Sequence, residues 1–236
     1  MKLLKNIEIK DLFLYLLESK TLVLGDIHLG YEESLNKKGI LIPRFQYKDI
    51  MRRLKYILDK LEIKNIIING DLKHEFGTIS KTEWRYTIKF IDKLSKYGKL
   101  VLVKGNHDKI LDPIADKKNI RIKDYYYINK IYICHGHEIP ENKEFENSGI
   151  VIIGHEHPSV SFRERGRIEK YKCFLKGTYK NKKLIVMPSL NLVTTGTDIL
   201  ENNLLSPFLD KISDFEVYIV SDEILYFGHV KDLKKI

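Results

Sequence analysis

Cysteine is nearly absent: Cys134 and Cys173 are the only two in 236 residues. Two thiols are too few for a disulfide framework or a thiolate zinc cage, so both read as ordinary buried thiols. Long apolar runs are missing as well, and none approaches the roughly 20 residues that a membrane-spanning helix needs. Acidic residues interrupt the opening stretch MKLLKNIEIKDLFLYLLESK, and no small-residue cleavage site follows it. It reads as a first strand pair and not as a leader, which makes the cytoplasm the expected location and a membrane partner unexpected. Low-complexity segments, internal repeats and Pro/Gly-rich linkers are also lacking, so one domain over 1–236 is the economical expectation.

Hydrophobic residues make up 43% and charged residues 31% of the chain, and the net charge is +9. The first half alternates short β runs with amphipathic helices. Strands are predicted at 21–25, 65–69 and 99–103, and helices at 47–62 and 81–96. Such alternation implies parallel strands with helices packed on the sheet. The second half is richer in strands, near 125–128, 131–134, 150–153, 170–175, 184–188, 216–220 and 223–227, and suggests a second sheet on the first.

Histidine placement is the most informative feature. Seven of the eight histidines (His28, His74, His107, His135, His137, His155 and His157) fall at or just after a predicted strand end, beside glycine, aspartate or asparagine; only His229 stands apart. Ligands of open α/β sheets bind outside the carboxyl ends of the strands, so these rings should converge on one crevice. Alternation puts Asp26 and His28 on one side of the extended chain. Gly70-Asp71, Gly105-Asn106-His107-Asp108, Cys134-His135-Gly136-His137 and Gly154-His155-Glu156-His157 follow in order. Oxygen and imidazole donors suit manganese, iron, zinc, cobalt or nickel. A single Asp-x-His is weak evidence, since a capping turn is the commoner explanation. Five such groups in order are hard to explain as structural, because each buried ring would need its own partners.

The series Asp26-x-His28, Gly70-Asp71, Gly105-Asn106-His107-Asp108, His135-Gly136 and Gly154-His155-x-His157 resembles the five-motif signature of calcineurin-like metallophosphoesterases, over residues 22 to 157. The resemblance implies an α/β sandwich of two mixed β-sheets flanked by helices. It implies two divalent ions, manganese first with iron, zinc, cobalt or nickel as alternatives. Asp26, His28 and His157 would hold one ion, Asn106, His135 and His155 the other, and Asp71 would bridge them. His107 corresponds to the family's catalytic histidine, a general acid contributing a factor of about 10²–10⁴ while a hydroxide between the metals attacks phosphorus. Asp108 is expected to orient the His107 ring or to cap a helix. His74 stands where the family often has an acidic residue and would orient a ligand from behind, while His137 would be substrate-side or structural.

The segment 163–183 holds nine basic and two acidic residues, a balance of +7 beginning six residues after His157. A β-hairpin there would set a basic strip near the metals, with Arg163, Arg165 and Arg167 as candidate nucleic-acid contacts. The competing reading is a solvated hairpin whose lysines discourage edge pairing. The stretch 154–166 and the residues Pro188-Ser189-Leu190 and Thr195-Gly196-Thr197-Asp198 resemble the SbcD-related branch, which includes ligase-associated DNA-damage-response endonucleases. That resemblance implies manganese-dependent hydrolysis of phosphodiesters in DNA or RNA. The chain lacks the large extra domains of full-length SbcD-type nucleases, so a partner ATPase is not expected. A small-molecule phosphoesterase acting on cyclic or dinucleotide substrates is the main alternative, and a catalytically dead interaction module is a third. The loop 30–46 should wall the site, with Tyr31 and Phe45 either stacking on a base or packing.

Overall fold

The computed structural model describes residues 1–75, 79–108, 111–164, 166–201 and 203–233. Every strand before residue 124 lies in one sheet and every strand after it in another. The first sheet runs in chain order: β1 (Lys2–Leu4), β2 (Ile7–Lys10), β3 (Phe13–Leu16), β4 (Thr21–Leu24), β5 (Asn65–Asn69), β6 (Lys99–Val103) and β7 (Arg121–Lys123). β1 to β4 form an antiparallel meander, and β4 to β7 are parallel. The expected N-terminal strand pair is therefore a three-strand run that feeds directly into β4.

The second sheet contains β8 (Tyr125–Ile128), β9 (Ile131–Cys134), β10 (Ile150–Ile153), β11 (Pro158–Glu164), β12 (Arg167–Tyr179), β13 (Lys182–Val186), β14 (Thr197–Asp198), β15 (Glu216–Val220) and β16 (Ile224–His229). β9, β10 and β13 are parallel; β8, β12, β15 and β16 join antiparallel, so both sheets are mixed. This is the expected sandwich. Four helices are named below: α1 (Tyr31–Lys37), α2 (Gln46–Leu58), α3 (Lys81–Leu94) and α4 (Asp112–Lys118).

Period-two alternation explains why the central strands are apolar throughout. Leu22, Leu24, Ile66, Ile68, Leu100 and Leu102 face outward and pack under Ile50 and Leu54 of α2 and Phe90, Ile91 and Leu94 of α3. The alternate residues Val23, Ile67, Val101 and Val103 face inward, where they meet Ile133, Ile152, Phe174 and Ile185 of the second sheet. The far face of that sheet buries Cys134, Val151, Ile153, Leu184 and Val186 against Phe208 and Leu209. Both cysteines are free and buried, as their rarity suggests.

Two sequence readings need correction. Residues 30–46 are not all loop, because α1 occupies most of the first half. The reason is the buried Glu32 carboxylate, which accepts the backbone N–H groups of Phe45 (2.6 Å) and Gln46 (2.8 Å) and so ties α1 to the start of α2. α2 also ends at Leu58, four residues early, where Lys60 and Leu61 turn back to the Ile57 carbonyl.

Candidate metal centre

Strands β4, β5 and β6 are parallel and in register, with Leu24 beside Ile68 and Ile68 beside Leu102. β9 and β10 do the same in the second sheet. Loops leaving these five carboxyl ends therefore gather at one edge of the sandwich. Two cross-sheet bonds lock the loops together: Asn69 Nδ2 donates to the Cys134 carbonyl (2.9 Å), and the His155 N–H donates to Asp26 Oδ2 (3.1 Å). Seven histidine rings meet there, with centroid separations from 4.9 Å (His28 to His107) to 6.0 Å (His137 to His155).

The side chains sort into two donor groups that meet at Asp71, beside a further set of three rings, His28, His74 and His107, whose nitrogens also lie within 4.8 Å of one another. Asp26, His28, Asp71 and His157 each present one donor atom, all within 4.8 Å of one another. In the second group, His135 Nε2 lies 2.8 Å from Asn106 Oδ1, 3.2 Å from His155 Nδ1 and 3.5 Å from Asp71 Oδ2. Asp71 belongs to both.

The electrostatics fit cations. Burial is the main force pushing His28 down to about 3 and His155 down to about 4, so both rings are neutral at physiological pH. Yet His28 Nε2 faces His157 Nε2 at 3.4 Å, and His155 Nδ1 faces His135 Nε2 at 3.2 Å. Ring nitrogens brought this close gain from a shared positive charge. Burial also opposes ionisation of Asp26, but His157 and His135 hold its carboxyl below the ordinary range. The same holds for Asp71, where His135 is the leading partner. His135 moves the other way: burial lowers it, but Asp71 and Asp26 outweigh that and push it up to about 9. His135 thus carries the positive charge that the two buried carboxylates call for, and the oxygen and imidazole donors together form a set matched to first-row divalent ions. His28 Nδ1 and His74 Nδ1 are buried with no hydrogen-bond partner, so supporting bonds on the far side of these rings are incomplete among the described residues.

The backbone is bent to achieve this. Asp26, His28, Asp71, His155 and His157 all adopt left-handed φ, between 48° and 63°. Such residues cost free energy and gather where surrounding structure overrides local preference. Close packing sets the neighbouring glycines: a Cβ on Gly105 would lie 2.2 Å from Asp71 Oδ1, and one on Gly154 would lie 2.3 Å from Asp26 Oδ2.

The calcineurin-like phosphoesterase family model matches residues 19–196, which contain every one of these donors. The chain belongs to that family. Its members bind dinuclear metals, and the Asp/His clusters are placed to hold them. Among solved structures, the Pseudomonas putida nuclease MPE is 20% identical and superposes with a TM-score of 0.67 over 93% of each chain, which shows the shared fold. Vps29 from Chaetomium thermophilum is 13% identical over 88% of this chain and 93% of that one, with a TM-score of 0.41. A protein of unknown function from Aquifex aeolicus, AQ665, is 21% identical over 62% and 81%, with a TM-score of 0.37. No curated protein matches the chain by sequence.

The remaining candidates fall at defined places. His107 stands beside the shared carboxylate: its backbone N–H donates to Asp71 Oδ1 (2.9 Å), and its Nε2 lies 3.8 Å from Asp71 Oδ2. Its Nδ1 donates to the His74 carbonyl at 2.5 Å, which fixes the tautomer and turns Nε2 toward the donors. Asp108 therefore neither orients that ring nor caps α4; its Oδ2 accepts the Gly105 N–H at 3.1 Å and closes the loop. His137 is exposed at the rim beside buried His135. Tyr31 packs edge-on against His74, with centroids 4.4 Å apart, and Phe45 is half-buried.

The basic hairpin exists, but its tip is not near the donors. Arg163 pairs across from Ile168 and Glu164 from Arg167 at the far end of β11 and β12. Arg163 lies six steps along the strand from His157, roughly 20 Å at 3.3 Å per residue. Arg163 and Arg167 are exposed there, while Arg165 lies outside the described residues.

Sequence reasoning missed the buried charges that brace the loops. Lys73, fully buried, donates to the His107 carbonyl at 2.7 Å. Glu83, also fully buried, accepts from the His74 and Glu75 N–H groups (2.8 and 3.0 Å) while closing a capping box with Ser80. Glu156 accepts from Leu205 and Ser206 (2.7 and 2.9 Å). The Ser80-x-x-Glu83 spacing at the start of α3 was the one readable signal among them.

Proposed function

We propose that the chain is a dinuclear metal-dependent phosphodiesterase that hydrolyses nucleic acid. The observation that carries this reading is the pair of donor groups sharing Asp71, with the His107 ring held beside the shared carboxylate. Asp26, His28 and His157 would complete one site, and Asn106, His135 and His155 the other. Bound there, two ions offset the charge of a phosphoryl group and make water more acidic.

The protein's own part is positioning and proton transfer. Asp71 fixes both groups relative to each other. His107, its Nδ1 committed to the His74 carbonyl, offers Nε2 to protonate the departing alkoxide. The Lys73 bond to the His107 carbonyl holds the loop that carries the ring.

Nucleic acid is favoured as substrate by the basic hairpin that leaves the site at β11, and by the shared fold of a neighbour that is a nuclease. Manganese is the first metal to test, since the donors are oxygen and imidazole. The test loads the protein with manganese and supplies linear and circular, single- and double-stranded DNA and RNA. Cleavage of at least one, with affinity falling steeply as salt rises, is expected. Turnover of cyclic or dinucleotide substrates with no salt slope, and none of polymers, would replace this reading with a small-molecule phosphoesterase.

A further inference from the structure

At the base of the β11–β12 hairpin, Lys172 pairs across from Ser159, two residues beyond His157. Its Nζ is fully enclosed and has no hydrogen-bond partner among the described residues. An enclosed amine without an acceptor is costly, and an apolar side chain would serve packing better. Lys172 lines a cavity of about 310 Å³ shared with Lys170, Arg53, Thr194, Thr195 and Asp222. Arg53 is already committed, since its Nη1 donates to both carboxylate oxygens of Asp11 (2.8 and 3.0 Å). Asp222 makes no bond to the Lys172 amine.

This cavity adjoins the candidate metal centre. The Thr197 N–H donates to the His157 carbonyl (2.9 Å), and the Asn191 N–H donates to the Asp26 carbonyl (3.1 Å), so the loop carrying Thr194 and Thr195 is pinned at both ends to candidate ligands. Burial pushes the Lys172 amine down to about 7, and Asp26 is the largest charge acting against that. Cross-strand register gives the hairpin a direction. Lys172, Lys170 and Arg163 share one face, opposite Ser159, Ser161 and Ile168, and run from base to tip. Successive positions on a strand face are about 6.6 Å apart.

We infer that this cavity is a phosphate subsite in which Lys172, flanked by Lys170 and by Thr194 and Thr195, takes a phosphate beside the scissile one in a nucleic-acid strand. The assignment rests on the nuclease reading for the identity of the strand, but not for the anion. Lys170 and Arg163 would then follow the backbone outward along the hairpin.

Lys172→Met, Lys172→Gln and Lys172→Arg in the full chain test it, with two neutral variants in case one does not fold. Inorganic phosphate added in EDTA should raise the melting temperature of wild type and Lys172→Arg, and leave the neutral variants unmoved. In the manganese-loaded protein the neutral variants should raise KM for a short single-stranded oligonucleotide about tenfold. They should also reduce its salt slope by about 0.7, with kcat/KM for bis-p-nitrophenyl phosphate unchanged. Phosphate protection that persists without Lys172, or equal losses on both substrates, overturns the subsite. Lys172-dependent protection in a protein that binds no oligonucleotide upholds the anion site and removes the nuclease reading, so the two fail separately.

Discussion

Among single side chains Asp71 carries the most, because both donor groups end on it. Asp71→Ala is expected to reduce bound metal at both positions, and a normal metal content by elemental analysis would sink the bridging role. His107→Ala should behave differently. It removes no donor of the two groups that share Asp71, so both metals should stay while turnover on a diester falls by about 10²–10⁴. Parallel loss of metal and activity there would refute the proton-donor role. Asp108 gives a pH signature. Burial, and then Asp71, raise its carboxyl from 3.8 to about 6. The folded state therefore keeps the proton longer than the unfolded one, and this stabilisation is lost as pH rises from about 4 through about 6. Asp108→Asn cannot ionise. In EDTA its melting temperature relative to wild type should climb between about pH 4 and about pH 6 and level off above that, equivalent to up to about 3 kcal/mol at about 1.4 kcal/mol per unit. A difference independent of pH would show that Asp108 is not so perturbed.

Among elements, the decisive ones are the turns at the ends of β4, β5, β6, β9 and β10. Gly105→Ala would drive a methyl into Asp71, which lies only 2.2 Å from the Cβ position. A loss of about 1–3 kcal/mol in stability, together with lower metal content, is expected from denaturant melts and elemental analysis. Unchanged values would mean that the loop has slack. Much of this edge was legible beforehand, since each ligand pair follows a short apolar run and sits beside a glycine. β5, β6, β9, β10 and β15 span the residues expected from those runs. What escaped was set by tertiary contact. α1 depends on a buried glutamate answering backbone groups more than ten residues away, and nothing local announces that. β12 is 13 residues long because it serves β11 with one half and β13 and β15 with the other, whereas its sequence shows only a short apolar centre at 173–175. The arginine cluster was legible as charge but not as distance. Only the strand register places it at the tip.

At the scale of the whole molecule, the strands change sheets at a single position, Asp124. Asp26, His28, Asp71, Asn106 and His107 come before that crossing; His135, His155 and His157 come after it. An ion held by both sets would act as a clasp between the two sides of the sandwich, beside the apolar layer of Val23, Ile67, Ile133 and Ile152. A protease site inserted at the crossing turns this into a measurement. With the peptide link severed, coordination and the buried apolar layer alone would hold the fragments together. Chelator should then lower the melting point of the nicked protein more than that of the intact chain, and make it concentration-dependent. The fragments would be separately inert, and activity would return only when both were mixed with metal.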